Sequence, residues 1–136
     1  MNKPGKLEKK CTFCSIQKEK KSQHIVENES FFARYDKFPV SKGHVDIVSK
    51  RHVTSIFDLC EREVIQLFYI MEKTKRKIDK KFRPDAYNIG INEGRAAGRT
   101  VDHLHIHLIP RYKGDVADPT GGIRNVIPGK GNYLKK

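Results

Sequence analysis

The chain has 136 residues, with 28 Lys and Arg against 16 Asp and Glu, and a formal charge of +12. That length fits one domain, and no stretch approaches the roughly 18 apolar residues of a membrane span. The sequence therefore predicts a single domain with no membrane-crossing helix.

The first residues (MNKPGKLEKK) are basic and polar. They predict a flexible segment over 1–10 and, lacking an apolar stretch behind the lysines, no secretory leader and a cytoplasmic address. Cys11 and Cys14 form a C-x-x-C and Cys60 stands alone. In a reducing compartment such a set argues against a disulfide framework and leaves metal binding or redox chemistry for the pair. Residues 22–29 carry the apolar pair Ile25-Val26, an edge-strand signal. Phe31–Tyr35 is aromatic and β-prone. Pro39 and Gly43 mark a loop, and 44–49 read as another strand.

Asp58 and Glu61 have the spacing of a capping box. Val64, Leu67, Phe68, Met71, Ile78 and Phe82 then recur at helical spacing, predicting one long amphipathic helix over 58–82, stopped by Pro84. Its last stretch, 73–83, holds seven basic residues and one acid. Positive charge suits a helix C-terminus, and we prefer that reading to a nucleic-acid site. Strands are predicted over 86–92 and 100–109, the second stopped by Pro110, with a turn at 93–98. The tail from Arg111 is rich in Gly and Pro. One helix among short strands predicts an α+β fold with a mostly antiparallel sheet.

The +12 charge points to an anionic partner, whether nucleotide, polyphosphate, nucleic acid or membrane surface, or to a solvated surface alone. The histidines are more specific. Three of six lie in His103-Leu104-His105-Ile106-His107. Side chains alternate along a strand, so the imidazoles share one face and Leu104, Ile106 and Leu108 the other. Such a row suits metal coordination or a nucleophilic imidazole with neighbours that fix its tautomer. Just upstream, the glycines of 92–100 let backbone N–H groups approach phosphate oxygens, and Asn92, Arg99 and Thr100 add donors. A nucleophile beside a donor-rich turn suits phosphoryl or nucleotidyl transfer.

The His-φ-His-φ-His-φ-φ run from His103 to Ile109, the Asn92–Thr100 turn, Pro110-Arg111 and the Asp36–His44 segment together resemble the histidine triad (HIT) family. The likeness is greatest to its fragile-histidine-triad and bacterial dinucleoside-polyphosphate branch. It divides the chain into the basic segment 1–10, a HIT-like domain over 11–128 and a tail over 129–136. The resemblance implies a five-stranded antiparallel sheet with one long helix, pairing into a homodimer with a ten-stranded sheet and the helix at the interface. It implies a nucleotide hydrolase or transferase that cleaves dinucleoside polyphosphates at the α-phosphate. His105 would be the nucleophile, supported by His107 and oriented by His103. Asn92, Arg99 and Thr100 would hold phosphate, Asp36 the ribose, and an apolar slot near Phe31, Phe32 and Ile47 the base. It also implies a structural zinc on Cys11, Cys14, His52 and His103, a closed set of two sulfurs and two nitrogens. Three positions depart from the family's usual residues: Arg99 stands for Gln, Asp46 for an apolar residue and Ser49 for Pro. Competing readings are a nucleoside phosphoramidate hydrolase, a basic nucleotide- or nucleic-acid-binding module without turnover, and a metallohydrolase built on the histidine row.

Overall fold

A computed structural model describes residues 11–16 and 24–135; the predicted flexible segment 1–10 and the start of the 22–29 segment lie outside them. Five strands, β1 (Val26–Glu27), β2 (Phe31–Tyr35), β3 (Val45–Ser49), β4 (Ala86–Gly90) and β5 (His105–Arg111), form one sheet. Its order is β1-β2-β3-β5-β4, and every neighbouring pair is antiparallel. The predicted α+β class and five-stranded antiparallel sheet with one long helix are what the chain forms.

Strand parity divides the side chains between two faces. On one, Phe31, Ala33, Val45, Ile47, Ile106 and Leu108 meet Leu67, Ile70 and Ile78 of helix α2 (Glu61–Phe82) in the main core. On the other, Phe32 and Val48 pack with Phe13 of a short helix, α1 (Thr12–Ile16). Phe31, Phe32 and Ile47 are each fully enclosed. The expected base slot near them is therefore overturned, because they offer a base no surface.

Three predicted boundaries shift for identifiable reasons. The helix begins at Glu61, with Cys60 as its cap, and the box is Cys60–Glu63: the Cys60 N–H donates to Glu63 Oε1 at 3.0 Å. Asp58 instead ends a 3-10 turn over Ile56–Asp58. Thr100–Leu104 is not strand, because the chain bends there to bury His103. Pro110 does not end β5 either: it pairs with Tyr87 of β4, beyond the reach of β3, whose pairing stops at Leu108. A residue without an N–H is tolerated there. β4 likewise stops at Gly90, two residues short of the predicted end.

Along α2, Glu63, Leu67, Ile70, Thr74 and Ile78 are buried at three- and four-residue spacing. The Thr74 hydroxyl donates to the Ile70 carbonyl at 2.6 Å, which satisfies it within the core. Val64 and Phe68, counted toward the core from periodicity, face outward and are 49% and 60% exposed. The basic C-terminal stretch is engaged in the fold. Lys75 pairs with Asp79 and Arg76 with Glu72, Lys77 donates to the Ile25 carbonyl, and Lys81 lies over the Tyr35 ring.

Candidate active site

β5 carries His105 and His107 on the face opposite α2. His103 lies two residues before the strand and is fully buried. Its Nε2 is 2.6 Å from the Ser49 carbonyl. A carbonyl only accepts, so the ring proton sits on Nε2 and the Nδ1 lone pair faces away from it. Burial, first, pushes His103 down to about 4, opposed by the Ser49 carbonyl and assisted by His52 and His105.

That Nδ1 lies among three other donors. Cys11 Sγ is 3.3 Å away, Cys14 Sγ 3.4 Å and His52 Nδ1 3.1 Å, and Cys14 Sγ is 3.2 Å from His52 Nδ1. All four ligand atoms lie within 4.8 Å of one another. Ordinary zinc–sulfur and zinc–nitrogen bonds place tetrahedral ligands about 3.3–3.8 Å apart. The donor set and its spacing therefore fit one tetrahedral zinc, with the Ser49 carbonyl as the outer partner that orients a ligand histidine.

His105 has its own tautomer lock. Its Nδ1 is 2.7 Å from the His103 carbonyl, so Nδ1 carries the proton and Nε2 keeps a free lone pair. Phe13 of α1 packs against this ring at 4.8 Å between centroids and against His103 at 5.8 Å. The helix that begins beside the cysteines thus also walls the imidazole.

His107 stands 5.2 Å from His105 between ring centroids and meets a second cluster. His44 Nε2 is 3.0 Å from His107 Nδ1, and Asp46 Oδ1 is 3.1 Å from the same atom. Asp36 Oδ2 lies 3.5 Å from His44 Nε2 and 3.9 Å from His107 Nδ1. The Asp46 carboxylate beside it raises His107 above its ordinary value, against burial. Burial lowers His44, against the two carboxylates. For Asp46, burial pushes up, but the neighbouring His107 and Asp36 side chains outweigh it and the net direction is down.

A HIT domain model matches residues 17–114. The chain belongs to the HIT family. An uncharacterised HIT-like protein of Methanocaldococcus jannaschii is 38% identical over 77% of this chain and 81% of its own. The asymmetrical bis(5'-nucleosyl)-tetraphosphatase of Schizosaccharomyces pombe is 41% identical over 59% of this chain and 44% of its own. A zinc-bound histidine triad protein from Mycobacterium smegmatis superposes with a TM-score of 0.70 at 31% identity, covering 80% of each chain. The family thus includes a nucleotide hydrolase and a zinc-bound member.

Within this HIT domain the remaining expected residues are spread over three places. Asn92 is exposed, two residues past the end of β4. Thr100 is exposed on the bend before His103. Arg99 is turned inward: its Nη1 donates to the Thr54 carbonyl and its Nε to Asp102, both at 3.1 Å. Asp36 Oδ1 accepts from the Phe38 N–H at 2.7 Å, which fixes the loop leading to His44. Sequence reasoning missed Phe13, the Ser49 carbonyl, and His44 and Asp46 as partners of His107. The signal for Asp46 was its parity: 44, 46 and 48 share a face, and Asp46 pairs across to His107.

Proposed function

We propose that this HIT protein hydrolyses dinucleoside polyphosphates, such as diadenosine tetraphosphate, at the α-phosphate through a covalent nucleotidyl-histidine on His105. The observation that carries this reading is the bond from His105 Nδ1 to the His103 carbonyl. It leaves Nε2 as a lone pair on the sheet face beside His107, the arrangement an imidazole nucleophile needs. Nε2 attacks the α-phosphorus, and the polyphosphate leaves with the bonding electrons on its bridging oxygen. Water then breaks the labile phosphorus–nitrogen bond and releases the mononucleotide. The tetraphosphatase relative supports the substrate class.

Asn92, just past β4, and Thr100, before His103, are both exposed and supply phosphate donors in this reading. Arg99 adds positive charge while bracing the turn through Thr54 and Asp102. Asp36 faces the same surface and would accept from ribose hydroxyls. Zinc held by Cys11, Cys14, His52 and His103 would be structural, joining α1, with Phe13, to the segment that leads into the strand bearing the nucleophile. The outward stripe Val64, Ile65, Phe68 and Tyr69 of α2 and the open edge of β4 favour a symmetric dimer with a continuous sheet. Light scattering that gives a monomer at micromolar concentration would remove the dimer.

Intact-mass spectrometry of protein mixed with diadenosine tetraphosphate and quenched at short times tests the reading. A transient gain of one AMP, absent in His105→Asn, is the expected result. Folded wild-type protein that yields neither adduct nor products would overturn it.

A further inference from the structure

Asp46 is the least explained residue of the site. Its side chain is 7% exposed, and its Oδ1 is buried without a hydrogen bond of good geometry. The nearest nitrogens are His107 Nδ1, at 3.1 Å, and His44 Nε2, at 3.9 Å. A buried carboxylate oxygen left unsatisfied is costly, so the local chemistry favours a proton on one of those nitrogens.

The tautomer of His44 decides what the cluster is. The Val40 N–H donates to His44 Nδ1 at 3.2 Å. That nitrogen is therefore unprotonated, and the proton of the neutral ring sits on Nε2, which faces His107. A nitrogen holding a proton has no lone pair for a metal. Although Asp36, His44, Asp46 and His107 lie close enough to suggest a cation site, the Val40 bond makes them a proton network.

Within it, His107 Nδ1 has two competing neighbours. His44 Nε2–H asks it to accept. Asp46 Oδ1 asks it to donate. If His44 alone acted, the neutral His107 ring would be held as the Nε2–H tautomer, a donor with no lone pair toward substrate. With Asp46 present, Nδ1 can keep a proton, and Nε2 is then free to give one up or take one.

We propose, resting on the nucleotidyl-histidine reading above, that Asp46 is a positioning residue that converts His107 from a fixed donor into an acid–base group. In the first step His105 Nε2 bonds to the α-phosphorus while the bond to the leaving oxygen breaks. The electron pair departs on that oxygen, and the His107 Nε2 proton goes to it. His107 is now neutral, with Nδ1–H on Asp46. In the second step water bonds to phosphorus and the His105–phosphorus bond breaks, returning its electrons to Nε2. The proton of that water passes to His107 Nε2, and the site is restored.

The other charged groups around His107 fit this cycle. His44 has Asp36 Oδ2 at 3.5 Å as an alternative acceptor when His107 Nδ1 is protonated. On β5, His105 approaches edge-on. Arg34, the cross-strand neighbour of Asp46, turns its guanidinium to the Tyr35 carbonyl. On the β4 side the residue opposite His107 is Gly90, which has no side chain. The Asp46 carboxylate at 3.1 Å holds His107 above its ordinary value, in agreement with the geometry.

Nitrogen-15 imidazole NMR, with His107 assigned through His107→Gln, tests the proposal without turnover. In the wild type His107 titrates above free imidazole and its neutral form carries the proton on Nδ1. In Asp46→Leu the midpoint falls by about one pH unit or more, and the neutral form carries it on Nε2. Asp46→Asn, closer in shape, guards against a folding defect: it loses the charge and lowers the midpoint as well. A midpoint and tautomer unchanged in both folded variants overturn the proposal. In single turnovers with diadenosine tetraphosphate, Asp46→Leu should lengthen the life of the AMP adduct by about 10²-fold or more. An adduct that decays at the wild-type rate also overturns it. Wild-type protein that forms no adduct would sink the proposed function, while the NMR titration still decides what Asp46 does to His107.

Discussion

Substituting Glu63 with Gln probes how the helix is bolted to the site. Glu63 sits in the first turn of α2 and accepts from Arg51 through both oxygens, at 2.8 and 3.1 Å. The Arg51 side chain is 16% exposed and that of Glu63 12%. Arg51 also donates to the Asp58 carbonyl and precedes His52 of the metal tetrad. Gln keeps the reciprocal bond to the Cys60 N–H, since a capping box accepts either residue, so the change isolates the ion pair. Removing the carboxylate charge from this mostly buried, two-pronged contact costs about 2–3 kcal/mol. For a chain of this size that is a fall in Tm of about 6–15 °C. The Arg51 bond holds the Glu63 carboxyl below its ordinary value, against burial. The pair's contribution is thus present above the unfolded pKa and is lost as pH falls through the folded one. Denaturant melts followed by circular dichroism at pH 7 and near pH 3 should therefore show a large gap between wild type and Glu63→Gln that closes in acid. A gap below about 0.5 kcal/mol at pH 7, the worth of an exposed pair, or one of equal size at both pH values, would refute the reasoning.

Gly43→Ala should destabilise by about 1–3 kcal/mol and shift the His44 resonances, because Gly43 has φ +85° and an added Cβ would stand 2.9 Å from the Phe82 ring; a melt and spectrum like wild type would contradict this. Ile78→Ala, at a fully buried position under the sheet, should cost about 2–5 kcal/mol in urea unfolding, and a loss under about 1 kcal/mol would mean that the core does not close on α2 as described. Stripping metal with a strong chelator should release one zinc per chain by elemental analysis and speed amide exchange over α1 while the exchange of β2 and β3 stays slow. Retained α1 protection in metal-free protein would show that Phe13 packing alone holds the helix. Cys14→Ser should give the same exchange pattern and the same deficit of zinc.

Much of the site was legible because its geometry is periodic. The alternation from His103 to His107 and the spacing of the C-x-x-C are local patterns, and the structure keeps each of those groups together. What local reading missed depends on contacts between distant segments. Asp58 and Glu61 have the spacing of a capping box, yet Arg51 claims the Asp58 carbonyl and grips Glu63, so the cap moves to Cys60. Alternation puts His103 on the His105 face, and Phe13 touches both rings, but only contacts from distant segments reveal that Ser49, His52 and the two cysteines claim the His103 ring. The triad is therefore two devices sharing one sequence run: His103 belongs to the metal tetrad, and His105 and His107 to the open face. Val64 and Phe68 satisfy a helical period without being core, because periodicity measures which residues share a side of a helix and not which sides are covered. Asp46 is the sharper case. Against apolar neighbours a lone acid in a strand looks like a misplaced residue, and only the β3–β5 register, which sets it across from His107, gives its carboxylate a partner. A buried charge in a short strand is therefore best read together with the strand that pairs with it, since the partner that makes it tolerable is a cross-strand neighbour far away in sequence.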